Sequence, residues 1–148
     1  MSFEQFSRRM RKRAGNVPRE ANRVKRQVAL AVDQAVVVGT PVDTGTARSN
    51  WVVSLGEPSD RIIPPYAPTS KGGIGESANA QGAMAQGEAE IRRSRPEEAI
   101  HITNNVEYIE PLNQGHSAQA PAMFVEAAVD AGAQAAKNAR INTGRSGR

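Results

Sequence analysis

The sequence contains no cysteine, few aromatic residues and no long apolar run. The absence of Cys from the 148 residues excludes disulfide bonds and thiolate metal ligands. Aromatic residues make up 4% of the chain, and alanine supplies much of the apolar 39%, which predicts a modest core because stabilisation follows buried apolar area. No apolar run approaches the ~20 residues of a membrane span, and no apolar leader is visible. We therefore expect a soluble protein made in a cytoplasm, with one domain spanning 1–148.

Positive charge is concentrated near the N-terminus. The formal net charge is +4, but residues 8–26 contain nine Lys and Arg residues and only one acid, Glu20. A basic end on a nearly neutral body favours an anionic partner for that end. The residues predicted to contact it are Arg8, Arg9, Lys12, Arg13, Arg19, Arg23 and Arg26.

The apolar spacing predicts two N-terminal helices. Residues 2–14 have apolar side chains at spacings of three and four, and Gly15-Asn16 and Pro18 are expected to interrupt the helix. A second helix is predicted from about 19 to 38, where Gly39 and Pro41 end it. Its apolar stripe consists of Ala21, Val24, Val28, Ala31, Val32 and Ala35.

The remainder predicts short strands and further helices. Residues 51–55 and 99–103 are typical of strands, 79–95 of a helix weakened by two glycines, and 106–115 of a short helical turn closed by Gly115. A closing helix is predicted over 120–141, with a frayed tail at 142–148. The fold class is therefore α+β: N-terminal helices, a small β-sheet and a closing C-terminal helix.

A long segment rich in Pro and Gly, at about 57–80, lacks any periodicity. Four prolines and three glycines indicate a flexible arm, and loops of this length in small domains are commonly functional. Because proline limits the entropy lost on docking, we expect this arm to reach an adjacent subunit or ring.

The stretch "TPVDTGTARSNW" (40–51) contains the Asp-Thr-Gly triplet of aspartic proteases. Such an enzyme needs two facing carboxylates, yet the chain has no second triplet and lacks a β-rich composition. A structural interpretation accounts for more of these residues. Asp43 or Thr44 can cap a short helical turn that begins near Gly45, with Arg48 pointing outward and Trp51 anchoring the core.

Other candidate sites carry weak signals. His101 falls in a predicted strand and His116 in a loop, and neither has a carboxylate at metal-ligand spacing. "SKGGIG" (70–75) places Lys71 before the glycines, whereas a phosphate-binding loop places lysine after them. We expect no metal, no cofactor and no catalytic residue.

Two separated elements of the chain carry a resemblance to a known family. "TPVDTGTARSNW" and "NNVEYIEPLNQGHSAQAPAMFVEAAV" (104–129) resemble the phage tail-completion family of the head–tail neck, the type that includes lambda minor tail protein Z. The elements cover under a third of the chain. The matching residues are Pro41, Asp43, Thr44, Gly45, Arg48 and Trp51 in the first element, and Asn105, Tyr108, Gly115, Pro121 and Phe124 in the second.

The resemblance implies a structural virion protein without catalysis, located at the head–tail junction. Such proteins form a homo-oligomeric ring, of six or twelve copies, around the DNA channel. The implied partners are neighbouring neck, connector or tail-tube proteins and packaged DNA, with no membrane. A small core and an exposed arm agree with a subunit whose stability comes partly from its neighbours.

The alternative is a stand-alone nucleic-acid-binding protein that uses the basic segment 8–26. That segment lacks the interleaved aromatics of single-strand binders and any zinc or helix-turn-helix signature. Either partner, channel DNA or an acidic protein face, satisfies the charge argument.

Overall fold

The computed structural model describes residues 2–41, 45–68, 75–115 and 122–139. Within these ranges the chain forms five helices and one two-stranded antiparallel sheet, which confirms the α+β class. The elements are α1 (Phe3–Gly39), α2 (Thr46–Ser49), β1 (Val52–Leu55), α3 (Glu76–Arg93), β2 (Ile100–Thr103), α4 (Ile109–Asn113) and α5 (Phe124–Asn138). No helix in the described ranges is both long and apolar enough to cross a membrane.

Helix α1 is a single helix of 37 residues, so the predicted break at Gly15–Pro18 is wrong. A capping box fixes its start, because the Ser2 hydroxyl accepts from the Gln5 backbone N–H and the Gln5 side chain accepts from the Ser2 backbone N–H. Pro18 lies inside the helix and cannot donate to the carbonyl of Ala14. Both residues are exposed, so water can hydrate that carbonyl and the helix continues.

Helices α1 and α5 pack against each other in antiparallel directions. The side chain of Phe124, at the start of α5, lies against Gly39 at the end of α1. Two turns further along α5, Gly132 lies against Val28 and Val32. Gly132 therefore lets the two backbones approach closely, at the part of the apolar stripe that the sequence predicted.

The sheet pairs β1 with β2, with Val52 opposite Thr103 and Leu55 opposite Ile100. These strands match the predicted ones to within one residue. Helix α3 packs on both β1 and α1. The main core cluster contains Val36, Val37, Trp51, Ala80, Ala83, Phe124 and Ala128, and a second cluster contains Ala29, Val53 and Ile91.

Several predicted boundaries change. Helix α3 begins at Glu76, so the predicted arm does not extend to residue 80. The two glycines of α3 serve packing: a Cβ at Gly82 would lie 2.5 Å from the Tyr66 ring, and one at Gly87 would overlap Asp33. The closing helix is shorter than predicted, at Phe124–Asn138. The predicted frayed tail at 142–148 lies outside the described residues.

Candidate functional site

The two sequence elements that carry the family resemblance meet at the C-terminal end of α1. Trp51 and Phe124 belong to the same core cluster, together with Val36 and Val37 of α1. The side-chain amide of Asn104 donates a 2.8 Å hydrogen bond to the carbonyl oxygen of Ala47 in α2. Segments more than 50 residues apart in sequence are thereby joined into one structural unit, with Trp51 as the predicted core anchor.

The turn of the first element is partly described. Gly45 has a φ of 76°, in the left-handed region that glycine tolerates. It precedes the short helix α2, and no side-chain hydrogen bond caps that helix among the described residues. Pro41 is buried beside the turn. Asp43 and Thr44 lie outside the described residues, so their predicted capping role stays a prediction.

Arg48 does not point outward, which corrects the prediction. One of its NH2 groups donates to the carbonyl oxygens of Thr40 at 2.7 Å and Val38 at 3.2 Å. These carbonyls lie at the end of α1, where a helix has unpaired acceptors and partial negative charge. Burial lowers the pKa of the Arg48 guanidinium, and the charge of Glu76 opposes that effect. Arg48 therefore closes the C-terminus of α1.

The second element holds neighbouring segments in place. The Asn105 amide donates to the carbonyl oxygens of Ser59 and Arg61 at 2.8 and 3.2 Å. Tyr108 is exposed at the start of α4, and Gly115 has a φ of 94° just after that helix ends. The predicted short helical turn closed by Gly115 is therefore confirmed. Pro121 lies outside the described residues.

Asn113 connects α4 to the start of α5, a contact that was not predicted from the sequence. Its Oδ1 accepts from the Val125 backbone N–H at 2.9 Å, and its Nδ2 donates to Glu126 Oε2 at 2.9 Å. Its own carbonyl oxygen accepts from the Met123 N–H. A side chain from α4 thus caps the first turn of α5, where the sequence offers no local capping residue.

Buried polar side chains fasten the described part of the predicted arm to the body. The Asn50 side chain donates to Ile63 O and accepts from Ile63 N, both at 2.8 Å. Asn79 makes the same pair of bonds to Ala67, at 2.7 and 3.0 Å. Each amide therefore pairs with the extended backbone as a neighbouring strand would. Residues 57–68 lie along the body, and residues 69–74 lie outside the described residues.

The C-terminal half of the predicted basic segment is engaged within the chain. Arg26 donates to the hydroxyl and carbonyl oxygens of Ser94, which follows α3. Lys25 donates to the carbonyl oxygens of Arg95 at 2.7 Å and Glu98 at 2.5 Å. Arg23 forms an ion pair with Glu20 at 3.1 Å. These contacts give Lys25 and Arg26 a structural role in holding the loop between α3 and β2.

The N-terminal half of α1 presents a different surface. Residues 2–19 are exposed apart from Ser7 and Asn16. Among the described residues, Arg8, Lys12, Arg13 and Arg19 form no ion pair. At about 100° per residue, Arg8, Lys12 and Arg19 project from one side of the helix. The predicted anionic-partner contacts therefore divide into an exposed group before residue 20 and a group occupied within the chain after it.

An apolar stripe runs along the other side of the same exposed half. It consists of Phe3, Phe6, Met10 and Val17, which are between 45% and 83% exposed. With Ala14 and Ala21 it continues, at spacings of three and four, into the Val24–Val28–Val32 stripe that faces α5. We call residues 3–17 of this face the N-terminal stripe. An open groove of about 410 Å³ lies beside it, lined by Phe3, Glu4, Ser7, Arg8 and Arg11.

In the described ranges, no group of three or more His, Asp and Glu side chains is placed to hold a metal ion. The Nε2 of His101 donates to the carbonyl oxygen of Gly56 at 3.0 Å, and His116 lies outside the described residues.

A buried carboxylate, Asp33, also went unpredicted. It is fully buried between α1 and α3, and its two oxygens have no hydrogen-bond partner among the described residues. Burial raises its pKa from near 3.8 to about 7. Asp33 lies off the predicted apolar stripe of α1, so its position carried no signal of burial, because a single acid on a helix is ordinarily solvated.

Comparison of the sequence with protein-family models and with curated proteins, and of the fold with solved structures, finds no match. The functional conclusion therefore depends on the chain's own residues and geometry.

Proposed function

We propose that this protein is a non-catalytic structural subunit of the phage head–tail neck, which completes the tail or neck as a ring around the DNA channel of the virion. The observation that carries the proposal is the N-terminal stripe. The stripe places four large apolar side chains on an exposed half-helix. Burying them against another protein releases hydrophobic free energy, so we infer that another protein covers this surface.

The roles of the family-motif residues support a structural protein. Arg48 closes the end of α1, Trp51 and Phe124 share one core cluster, and Asn105 holds the backbone at 59–61. Each of these contacts is internal and none presents a reactive group to a ligand. The motif thus builds a rigid body from which the exposed half of α1 extends by about 25 Å, at ~1.5 Å per residue.

The test is incorporation into phage particles. The native protein is expected to co-purify with particles at a few copies each, and particles made without it are expected to have incomplete neck or tail joints in micrographs. The double change Phe6→Ser with Met10→Ser is expected to leave the body folded by circular dichroism but to abolish incorporation. Val38→Ser is the matched control, since Val38 is 63% exposed on α1 but off the stripe.

Two outcomes contradict the proposal. The first is absence of the native protein from purified particles, and the second is normal incorporation of the Phe6/Met10 variant. A third measurement tests for catalysis. A peptidase activity of the native protein that is lost in a folded Asp43→Asn variant would show that the protein is an enzyme and would contradict the non-catalytic role.

The second candidate function is nucleic-acid binding, favoured by the exposed cations on the side of α1 opposite the stripe. Contact with phosphates predicts sequence-independent binding of duplex DNA, with log affinity falling by roughly 0.9 per contact for each tenfold rise in salt. Changing Arg8, Lys12 and Arg19 to Gln together is expected to reduce that slope. An isolated chain that shifts DNA strongly and is absent from particles favours this function over the neck.

A further inference from the structure

The N-terminal stripe is the continuation of a face that is already an interface. The same apolar face of α1 packs on α5 at Val28 and Val32, where Gly132 admits the valine side chains. Because α5 runs antiparallel to α1 and is described to Ala139, it covers the C-terminal part of this face. The face continues uncovered, among the described residues, from about Ala21 back to Phe3.

No other part of this chain has the composition to cover the stripe. The stretches outside the described residues are 42–44, 69–74, 116–121 and 140–148, apart from Met1. Each contains at most one large apolar residue: Val42, Ile74, none and Ile141 respectively. One such side chain cannot bury four of the size of Phe3, Phe6, Met10 and Val17. These stretches therefore lack the apolar side chains that burial of the stripe requires.

The charges around the N-terminal stripe indicate what kind of surface binds it. Residues 2–20 carry six cations and two acids, Glu4 and Glu20. Arg11 and Arg13 border the stripe on its two sides, at about 100° and 60° from its centre. Pairing this half-helix with the same half-helix of another copy would bring like charges together. An acidic surface with exposed apolar side chains is the complementary partner.

The chain itself carries such a surface on α4 and α5. From residue 96 to residue 136 the sequence has no Lys or Arg. The exposed acids of the two helices and the turn before α4 are Glu107, Glu110, Glu126 and Asp130, and the exposed apolar residues among them are Tyr108, Met123 and Val129, between 42% and 58% exposed. The bonds of Asn113 to Val125 and Glu126 hold α4 against the first turn of α5. We call this the acidic face.

We propose that the N-terminal stripe of one copy docks on the acidic face of a second copy, so that the chains associate head to tail. The two surfaces differ and lie on different parts of the molecule, so each copy uses one to bind forward and the other to bind backward. Such a heterologous contact produces a closed ring when its rotation closes. This inference rests on the proposed ring function and supplies the interface that the ring requires.

Reciprocal charge reversal tests the pairing. The first variant carries Arg11→Glu with Arg13→Glu, and the second carries Glu107→Lys with Asp130→Lys. The control carries Arg92→Glu with Arg93→Glu, which changes the charge by the same amount at two exposed positions of α3, away from both surfaces. Light scattering after size-exclusion chromatography at low salt, from 1 to about 100 µM protein, measures the assembly state, and circular dichroism measures folding.

Each of the first two variants is expected to be folded and to assemble at least tenfold less readily than native protein. An equimolar mixture of the two is expected to restore assembly, because the reversed stripe of one fits the reversed face of the other and the unreversed surfaces also match. A single chain carrying all four changes is expected to assemble alone. The control is expected to assemble like native protein.

The proposal is overturned if the native chain stays monomeric throughout that range, if either variant assembles like native protein, or if the mixture stays dissociated. These results are independent of the particle test. A monomeric chain that still co-purifies with particles would retain the neck function and lose this interface. Rings that form in solution by a chain absent from particles would retain the interface and lose the neck function.

Discussion

The indole Nε1 of Trp51 donates a 2.7 Å hydrogen bond to the Oγ1 of Thr40, and that hydroxyl donates in turn to the Val36 carbonyl oxygen at 2.6 Å. Thr40 is fully buried and Trp51 almost so. The bonds connect the residue before β1 with the last turn of α1. The tryptophan therefore fixes the direction in which the chain leaves the helix, in addition to filling the core.

Thr40→Val is expected to destabilise the protein by about 1–3 kcal/mol. Valine has nearly the same shape as threonine, but it leaves the buried indole N–H without an acceptor. Thr40→Ser keeps the hydroxyl and is expected to lose less. Urea unfolding followed by tryptophan fluorescence measures both, and equal stability of Thr40→Val and native protein would show that the hydrogen bond contributes nothing net.

Two glycine-to-alanine changes are expected to change the free energy of unfolding in opposite directions. A Cβ at Gly132 would overlap Val32 across the α1–α5 interface, so Gly132→Ala is expected to destabilise by about 1–3 kcal/mol. A Cβ at Gly15 meets nothing within 4 Å on the exposed part of α1, so Gly15→Ala is expected to stabilise that helix by roughly 0.5–1 kcal/mol. Thermal unfolding compares them, and partial recovery of Gly132→Ala by Val32→Ala checks that the overlap is the cause.

The sequence predicted the elements that depend on local periodicity. The two strands, the closing helix and the helical turn ended by Gly115 follow from apolar spacing and glycine placement. The break at Pro18 was wrong because the local penalty of a proline does not decide a helix when the freed carbonyl faces water. Exposure of that carbonyl is a property of the tertiary structure.

The contacts made by asparagine could not be predicted from the sequence. Asn50, Asn79, Asn105 and Asn113 each bond to backbone groups 12 or more residues away. Asparagine is ordinarily a surface or turn residue, so its type alone carries no signal for a long-range partner. The same holds for Arg26, whose partner Ser94 lies 68 residues away.

Asn50→Ala is expected to release the described part of the arm. The change removes both hydrogen bonds to Ile63, while the exposed Arg61 two residues earlier provides a tryptic site. Cleavage after Arg61 is expected to accelerate several-fold in limited proteolysis, because the rate follows the population of the opened segment. Gln81→Ala, which removes an exposed contact with Ser77, is the control. Unchanged cleavage after Arg61 in the Asn50 variant would show that other contacts hold the segment.

Because the Asp33 carboxyl is buried, the free energy of unfolding is expected to fall as the pH rises. Its pKa is near 3.8 when unfolded and about 7 in the folded protein, so between these values the folded state binds a proton that the unfolded state does not. Stability from this group is fully present below pH 3.8 and declines up to about pH 7, by ~1.4 kcal/mol per pH unit and up to about 4 kcal/mol in all.

Asp33→Asn removes the ionisation and keeps the shape of the side chain. The variant is expected to match native protein near pH 4 and to exceed its stability at pH 8 by roughly 1–4 kcal/mol. Asp60→Asn, which changes an exposed carboxylate outside both proposed surfaces, is the control. Urea unfolding from pH 4 to pH 8 measures all three proteins. The difference between native and Asp33→Asn cancels the contributions of every other titrating group, so a difference that stays constant with pH would mean that Asp33 does not titrate in this range.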